Sequence, residues 1–137
     1  MTQPSNMDLK DAALEVTKAL PNGAASVNSA GIDLGLATEG QHLSECELVI
    51  EAPALATADL PDTKTMTYKV EHSADNSSYA DLFLSVIVQT GAGGAGAVAA
   101  TKRLRLPVDV RRYVRVTATN SGTGDASDKS LTAGLRF

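Results

Sequence analysis

The chain contains few side chains that could act as an acid, a base or a nucleophile, and they are not spaced as a catalytic set. Its two histidines, His42 and His72, fall in different segments, and neither has a serine or cysteine at a spacing typical of nucleophilic catalysis. Alternation puts His72 on the inner side of a strand close to a turn, where a histidine is usually a packing residue. His42 falls in a loop. We therefore expect neither histidine to be catalytic, and the chain not to be an enzyme.

Three glutamates, Glu45, Glu47 and Glu51, share one face of a predicted strand, with about 6–7 Å between alternate positions. Two carboxylates at such a spacing can cleave glycosidic bonds. A solvated or partner-facing strand face is the commoner cause of this pattern, and we favour it here.

Metal and phosphate chemistry have equally weak support. Asp59 and Asp62, and later Asp125 and Asp128, are loop acids that could bind calcium, but they lack the dense oxygen ligands of an EF-hand loop. Residues 91–96 are rich in glycine but lack the lysine and hydroxyl residue of a phosphate-binding loop. We predict no metal site and no cofactor.

Charge is separated along the chain. Residues 102–115 hold six of the twelve basic residues and one acid, Asp109, whereas residues 1–62 hold ten acids and two lysines. Arginine and tyrosine are enriched at protein interfaces. If the two strands that carry these residues are neighbours, they form one basic surface that includes an aromatic ring. The residues that we expect to form this interface are Arg103, Arg105, Arg111, Arg112, Tyr113 and Arg115.

The alternative is a solvated basic face whose arginines form internal salt bridges with Glu45, Glu47 and Glu51. Nucleic acid is a poor partner for this surface, because the net charge is −4 and one tyrosine is not a stacking platform.

The elements that must position these residues are strands. Alternation predicts a strand with Met66, Tyr68 and Val70 on its inner face and another with Val114 and Val116 inward. Leu82–Gln89 is a nearly continuous apolar run, suited to the middle of a sandwich. Seven or eight strands with no convincing long helix predict an all-β, antiparallel β-sandwich, jelly-roll or immunoglobulin-like. A true immunoglobulin domain is disfavoured, because the single cysteine, Cys46, allows no internal disulfide; we place it in the core.

The N-terminal region is less regular. Met7–Leu20 has some helical spacing, but Glu15–Leu20 alternates equally well as a strand. We expect an extended N-terminal arm with a short strand over residues 1–22, followed by one β-sandwich domain over residues 23–137. The first residues lack the pattern of a signal peptide, and no apolar run is long enough for a membrane helix. We therefore expect a soluble protein with no membrane partner.

Four segments carry a resemblance to a known family. They are Leu-Pro-x-Asp-x-Arg-Arg-Tyr-Val-Arg-Val at 106–116, Leu-Thr-Ala-Gly-Leu at 131–135, Ile-Asp-Leu-Gly at 32–35 and Val-Glu-His-Ser-Ala-Asp at 70–75. Together they resemble the cement (decoration) proteins of tailed bacteriophages, and in particular the jelly-roll type of the Bordetella phage capsid.

The resemblance implies a non-enzymatic jelly roll that is made in the host cytoplasm and binds the outer capsid surface of the virion. Its partners would be the major capsid protein of HK97-like fold and further copies of the chain, as dimers or trimers. It would stabilise contacts between major capsid subunits against the pressure of packaged DNA, with no direct contact to nucleic acid. The N-terminal arm would then lie over a neighbouring subunit.

The alternative function is a carbohydrate-binding or receptor-binding jelly-roll module of a phage virion. Sugar stacking needs exposed aromatic rings, and this chain has five aromatic residues and no tryptophan. An enzyme of the double-stranded β-helix type would need histidine and acid metal ligands that the sequence does not group together.

Overall fold

The computed structural model describes residues 10–35 and 46–136, which form nine β-strands. They are β1 (Lys10–Ala19), β2 (Ser26–Asn28), β3 (Ile32–Asp33), β4 (Glu47–Ala52), β5 (Thr65–Ser73), β6 (Ala80–Thr90), β7 (Ala100–Arg105), β8 (Tyr113–Asn120) and β9 (Ser130–Arg136). In these two ranges there is no helix long and apolar enough to cross a membrane. His42 and Glu45 lie outside the described residues, so their predicted positions are not addressed.

The strands form two antiparallel sheets that pack face to face. The first sheet has the order β1-β9-β4-β7, and the second has the order β2-β8-β5-β6. The short strands β2 and β3 pair with successive parts of β8. The predicted all-β antiparallel sandwich is therefore confirmed.

The core lies between the sheets and follows the alternation of the sequence. In β5 and β8 every second side chain is fully buried, as the sequence predicts, while the residues between them face outward. Strands β4 and β9 supply the opposite layer. The fully buried apolar residues of these four strands include Leu48, Ile50, Met66, Tyr68, Val70, Val114, Val116, Leu131 and Leu135. Cys46 is buried beside them, as predicted.

Strand β6 departs from its prediction. The apolar run Leu82–Gln89 predicts a strand in the middle of the sandwich, but among the described strands β6 is the edge strand of the second sheet and pairs with β5 alone. A bulge interrupts its ladder between Phe83 and Ile87, where Ser85 has a φ of 51°. The predicted placement of this strand is therefore wrong. An apolar run indicates a β-strand, but it does not show that other strands pair along both of its edges.

Strand β1 covers much of the predicted N-terminal arm. Residues 10–19 form a ten-residue strand at the edge of the first sheet, in register with β9 from Glu15 opposite Gly134 to Ala19 opposite Ser130. The strand is longer than the short one expected. Residues 1–9 lie outside the described residues, so an arm there stays a prediction.

The glycine-rich tract at 91–96 is tied to a neighbouring loop. The backbone N–H of Gly94 donates to the Asp62 carboxylate at 2.9 Å, and Leu55 and Ala97 exchange backbone hydrogen bonds. At Gly96 the φ is 69°, and a Cβ would overlap the carbonyl of Leu55. The small residues of this tract therefore permit a close approach of two loops.

Candidate functional site

The six predicted interface residues are divided between the two sheets. Arg103 and Arg105 lie on β7, at the edge of the first sheet, whereas Tyr113 and Arg115 lie on β8 in the second. The condition for one continuous basic surface is therefore not met: β7 pairs with β4, and β8 pairs with β2, β3 and β5. The chain crosses from one sheet to the other in the loop 106–112. Pro107 lies in this loop, and because proline cannot donate a ladder hydrogen bond it does not continue strand β7.

Arg112, in this crossing loop, is bound to the short strand β3. Its Nε and one terminal nitrogen donate to the two carboxylate oxygens of Asp33 at 2.9 and 3.0 Å. The backbone N–H of Leu34 also donates to the Arg112 carbonyl at 2.8 Å. The hydrogen bond from Arg112 lowers the pKa of Asp33, so the pair stays charged at neutral pH. The guanidinium lies 5.2 Å from the centre of the Tyr113 ring.

Arg115 belongs to a second ion pair on the outer face of the same sheet. Its Nε donates to Glu71 Oε1 at 2.9 Å, and Thr117 Oγ1 donates to the same oxygen at 2.8 Å. The guanidinium also stacks on Tyr79, 3.9 Å from the ring centre. Burial alone raises the pKa of Glu71, but the hydrogen bonds from Thr117 and Arg115 outweigh it and hold the pKa below its usual value. Arg115 is thus enclosed by partners within its own chain.

His72 fixes the backbone of Arg111. The histidine lies at the end of β5, buried on the inner side as predicted, and its Nδ1 accepts a hydrogen bond from the Arg111 backbone N–H at 3.2 Å. Its role in the structure is to hold the crossing loop against β5.

These contacts bring three separate sequence segments to one end of the sandwich. We call residues 32–35, 70–75 and 106–116 together the motif cluster. Asp33 joins the first segment to the third, while Glu71 and His72 join the second to the third. Asp33 and Glu71 were not among the predicted site residues, although both lie within the quoted motifs. Only the opposite charges in separate motifs could have indicated the pairing.

Further ion pairs involve basic side chains outside the motif cluster. Lys69 lies 2.7 Å from Asp81 and 3.4 Å from Glu71, on the same outer face as Arg115. On the first sheet, Arg103 lies 3.2 Å from Glu47. Three of the six basic residues counted in 102–115, namely Arg103, Arg112 and Arg115, therefore pair in space with acids from other strands. Of the three acids named in the alternative of a salt-bridged face, Glu47 forms such a pair. The acids involved are Asp33 and Glu71 as well as Glu47.

Loop acids considered as calcium ligands have structural partners. Asp59 accepts a hydrogen bond from the Ala56 backbone, and Asp125 accepts one from Ser127. Within residues 10–35 and 46–136, no three histidine, cysteine, aspartate or glutamate side chains are grouped closely enough to hold a metal ion. Burial raises the pKa of Cys46, which makes its thiol a poor nucleophile.

The exposed part of the crossing loop is its tip. Leu106 and Val110 are buried, whereas Val108 between them is 89% exposed. A hydrogen bond from the Val110 N–H to the Pro107 carbonyl closes the turn. The loop therefore presents Val108 and the exposed Asp109 from two buried anchors, with Arg105 and Arg111 on either side of this tip along the chain.

Comparison with known proteins assigns no family to the chain. The sequence matches no protein-family model, and no curated protein is significantly similar to it.

Proposed function

We propose that this chain is a capsid decoration protein of a tailed bacteriophage, a non-enzymatic protein that binds the outer surface of the head and braces its major capsid subunits. The observation that carries the proposal is the motif cluster. Three of the four segments that resemble phage cement proteins meet at one end of the sandwich, joined by the ion pairs of Asp33 with Arg112 and Glu71 with Arg115. Segments that contact the same partner must lie close together on the surface, and these three segments do.

The strand order supports the jelly-roll part of the proposal. Eight strands in two four-stranded sheets, with successive strands placed in alternate sheets, are expected of a jelly roll. Here β2 and β3 together occupy one strand position, which gives the orders β1-β9-β4-β7 and β2/β3-β8-β5-β6. The chain crosses between the sheets at each of six links: β1 to β2, β3 to β4, β4 to β5, β6 to β7, β7 to β8 and β8 to β9.

The part of the cluster offered to the capsid is the tip of the crossing loop. Val108 supplies exposed apolar surface, and the neighbouring arginines Arg105 and Arg111 supply positive charge that steers docking and fixes its register. Arg112, Arg115 and Tyr113 act behind this tip by holding the loop and β8 in place. One such contact is small, but repetition over a symmetric shell multiplies its effect through avidity.

The test is co-sedimentation of the full chain with undecorated shells of the major capsid protein encoded in the same genome. Val108→Glu should lower shell occupancy at least about tenfold, because it places a charge in the centre of the contact. Thr119→Glu, on an exposed position of β8 remote from the loop tip, is the control and should leave occupancy unchanged. Equal occupancy of Val108→Glu and the wild type would reject the loop tip as the contact, and no binding by the wild type would reject the proposal.

A further inference from the structure

Strand β6 forms an edge that resembles an interface more than a protected boundary. It has eleven residues, about 36 Å of chain, and among the described strands it pairs only with β5. Its one charged residue, Asp81, lies near its beginning, so residues 82–90 are uncharged. Monomeric proteins usually protect such edges with charges, prolines, bulges or short strands, because the open backbone groups pair with other chains. In β6 the bulge at Ser85 interrupts only the first part of the edge, and segment 87–90 is regular.

Exposed apolar side chains are concentrated along this edge. We call Leu84, Val88 and Val98 the β6 patch; they are 68%, 50% and 82% exposed. Val88 and Val98 line a shallow groove of about 340 Å³ together with Ala97 and Ala100. Leu84 lies four residues before Val88, on the other side of the bulge at Ser85. Apolar patches of this kind mark interaction sites.

Two of the other three sheet edges are poorly suited to pairing with a second copy of the chain. Edge strand β7 carries Lys102, Arg103 and Arg105, and two copies of it placed side by side would bring like charges together. At the remaining edge of the second sheet, β2 and β3 have only three and two residues. Two antiparallel copies of β6 bring no like charges together, because the two Asp81 residues would lie at opposite ends of the contact.

We infer that the β6 patch is the interface between two copies of this chain, related by a two-fold axis with their β6 strands antiparallel. The bulge at Ser85 divides the strand, so the contact is formed by the patch side chains and by the regular segment 87–90. A two-fold interface is self-complementary, and an uncharged apolar strand satisfies that requirement. The use of this dimer in bridging capsid subunits rests on the proposed function, whereas self-association itself does not.

Sedimentation equilibrium of the full chain over the micromolar range tests the inference. The wild type should form dimers, and Val88→Lys should weaken dimerisation at least about tenfold. Val108→Lys is the matched control, because Val108 is also an exposed valine but lies on the crossing loop instead of the patch; it should leave dimerisation unchanged. Thermal unfolding of each variant checks that the fold is intact.

A mixture of Val88→Lys and Val88→Glu gives a second readout. A two-fold axis through the patch brings both copies of residue 88 near each other, so the mixture should recover the dimer that each variant loses alone. A monomeric wild type, an equal loss with Val108→Lys, or no recovery in the mixture would each overturn the inference. A dimer that does not bind shells would contradict only the proposed function, and a monomer that decorates shells would contradict only the dimer.

Discussion

Replacing Glu71 by Gln, Arg115 by Met, and both together forms a double-mutant cycle on the ion pair that holds β8 to β5. Glu71 Oε1 accepts hydrogen bonds from Arg115 Nε and Thr117 Oγ1, and the two charged side chains are only 11% and 22% exposed. A hydrogen bond to a charged group contributes about 1.5–3 kcal/mol. Because both groups keep some contact with water, we expect a coupling free energy near the lower end, about 1.5 kcal/mol.

The pair of Arg103 and Glu47 is the matched control. Its nitrogen–oxygen distance is 3.2 Å, but its side chains are 52% and 32% exposed. Exposed ion pairs contribute about 0.2–1 kcal/mol, so Arg103→Met with Glu47→Gln should give a coupling free energy of about 0.5 kcal/mol or less. The difference between the two cycles isolates the effect of burial.

Urea unfolding at neutral pH measures both coupling energies, and repetition at acid pH adds a second check. The pKa of Glu71 is lower in the folded chain than its usual value of 4.5, so its contribution is complete above about pH 4.5 and is lost as the pH falls below that value. Equal couplings for the two pairs, or a Glu71–Arg115 coupling that persists in strong acid, would refute the reasoning that Arg115 is part of the scaffold.

Three further predictions concern the turns and the core. Gln89→Leu leaves the Tyr68 hydroxyl and two backbone carbonyls without their hydrogen-bond partner. The substitution should lower the free energy of unfolding, measured by urea denaturation, by about 3 kcal/mol. A loss below about 1 kcal/mol would contradict this prediction. Hydrogen bonds from two backbone N–H groups and a serine lower the pKa of Asp75 to about 2. The stability that Asp75 gives to the turn is therefore present above its usual pKa of 3.8 and is lost as the pH falls towards 2. An NMR titration of Asp75 with a midpoint near 3.8 would contradict this prediction. Gly96→Ala should lower the melting temperature more than Gly93→Ala, because both have a positive φ but only Gly96 has a carbonyl where the Cβ would stand; equal losses would show that the overlap is relieved.

Much of the fold could be predicted from period-two alternation. In β5 and β8 one face is buried and the other polar, so the pattern specifies both the strand and its inner face. Strand β6 shows the limit of this argument. Its apolar run is compatible with a central strand, but the exposure of Leu84 and Val88 depends on which strands pair with it, and pairing is a long-range property.

The candidate site was only partly predictable for the same reason. The sequence identified Arg112 and Arg115 by local charge, but their acid partners lie 79 and 44 residues away along the chain. Local charge counts cannot detect such pairs, so a segment that is strongly basic in sequence has part of its charge offset in space. The exposed tip at Val108 was missed because one valine after a proline gives no pattern that indicates exposure.

The proposed function is tested most directly by electron cryo-microscopy of undecorated shells incubated with the full chain. The proposal predicts density for the sandwich at symmetry-related positions outside the shell, with the end that carries the crossing loop 106–112 against the major capsid subunits. Shells without added density would contradict the proposal, and ordered density with that end pointing away from the shell would contradict the assigned contact.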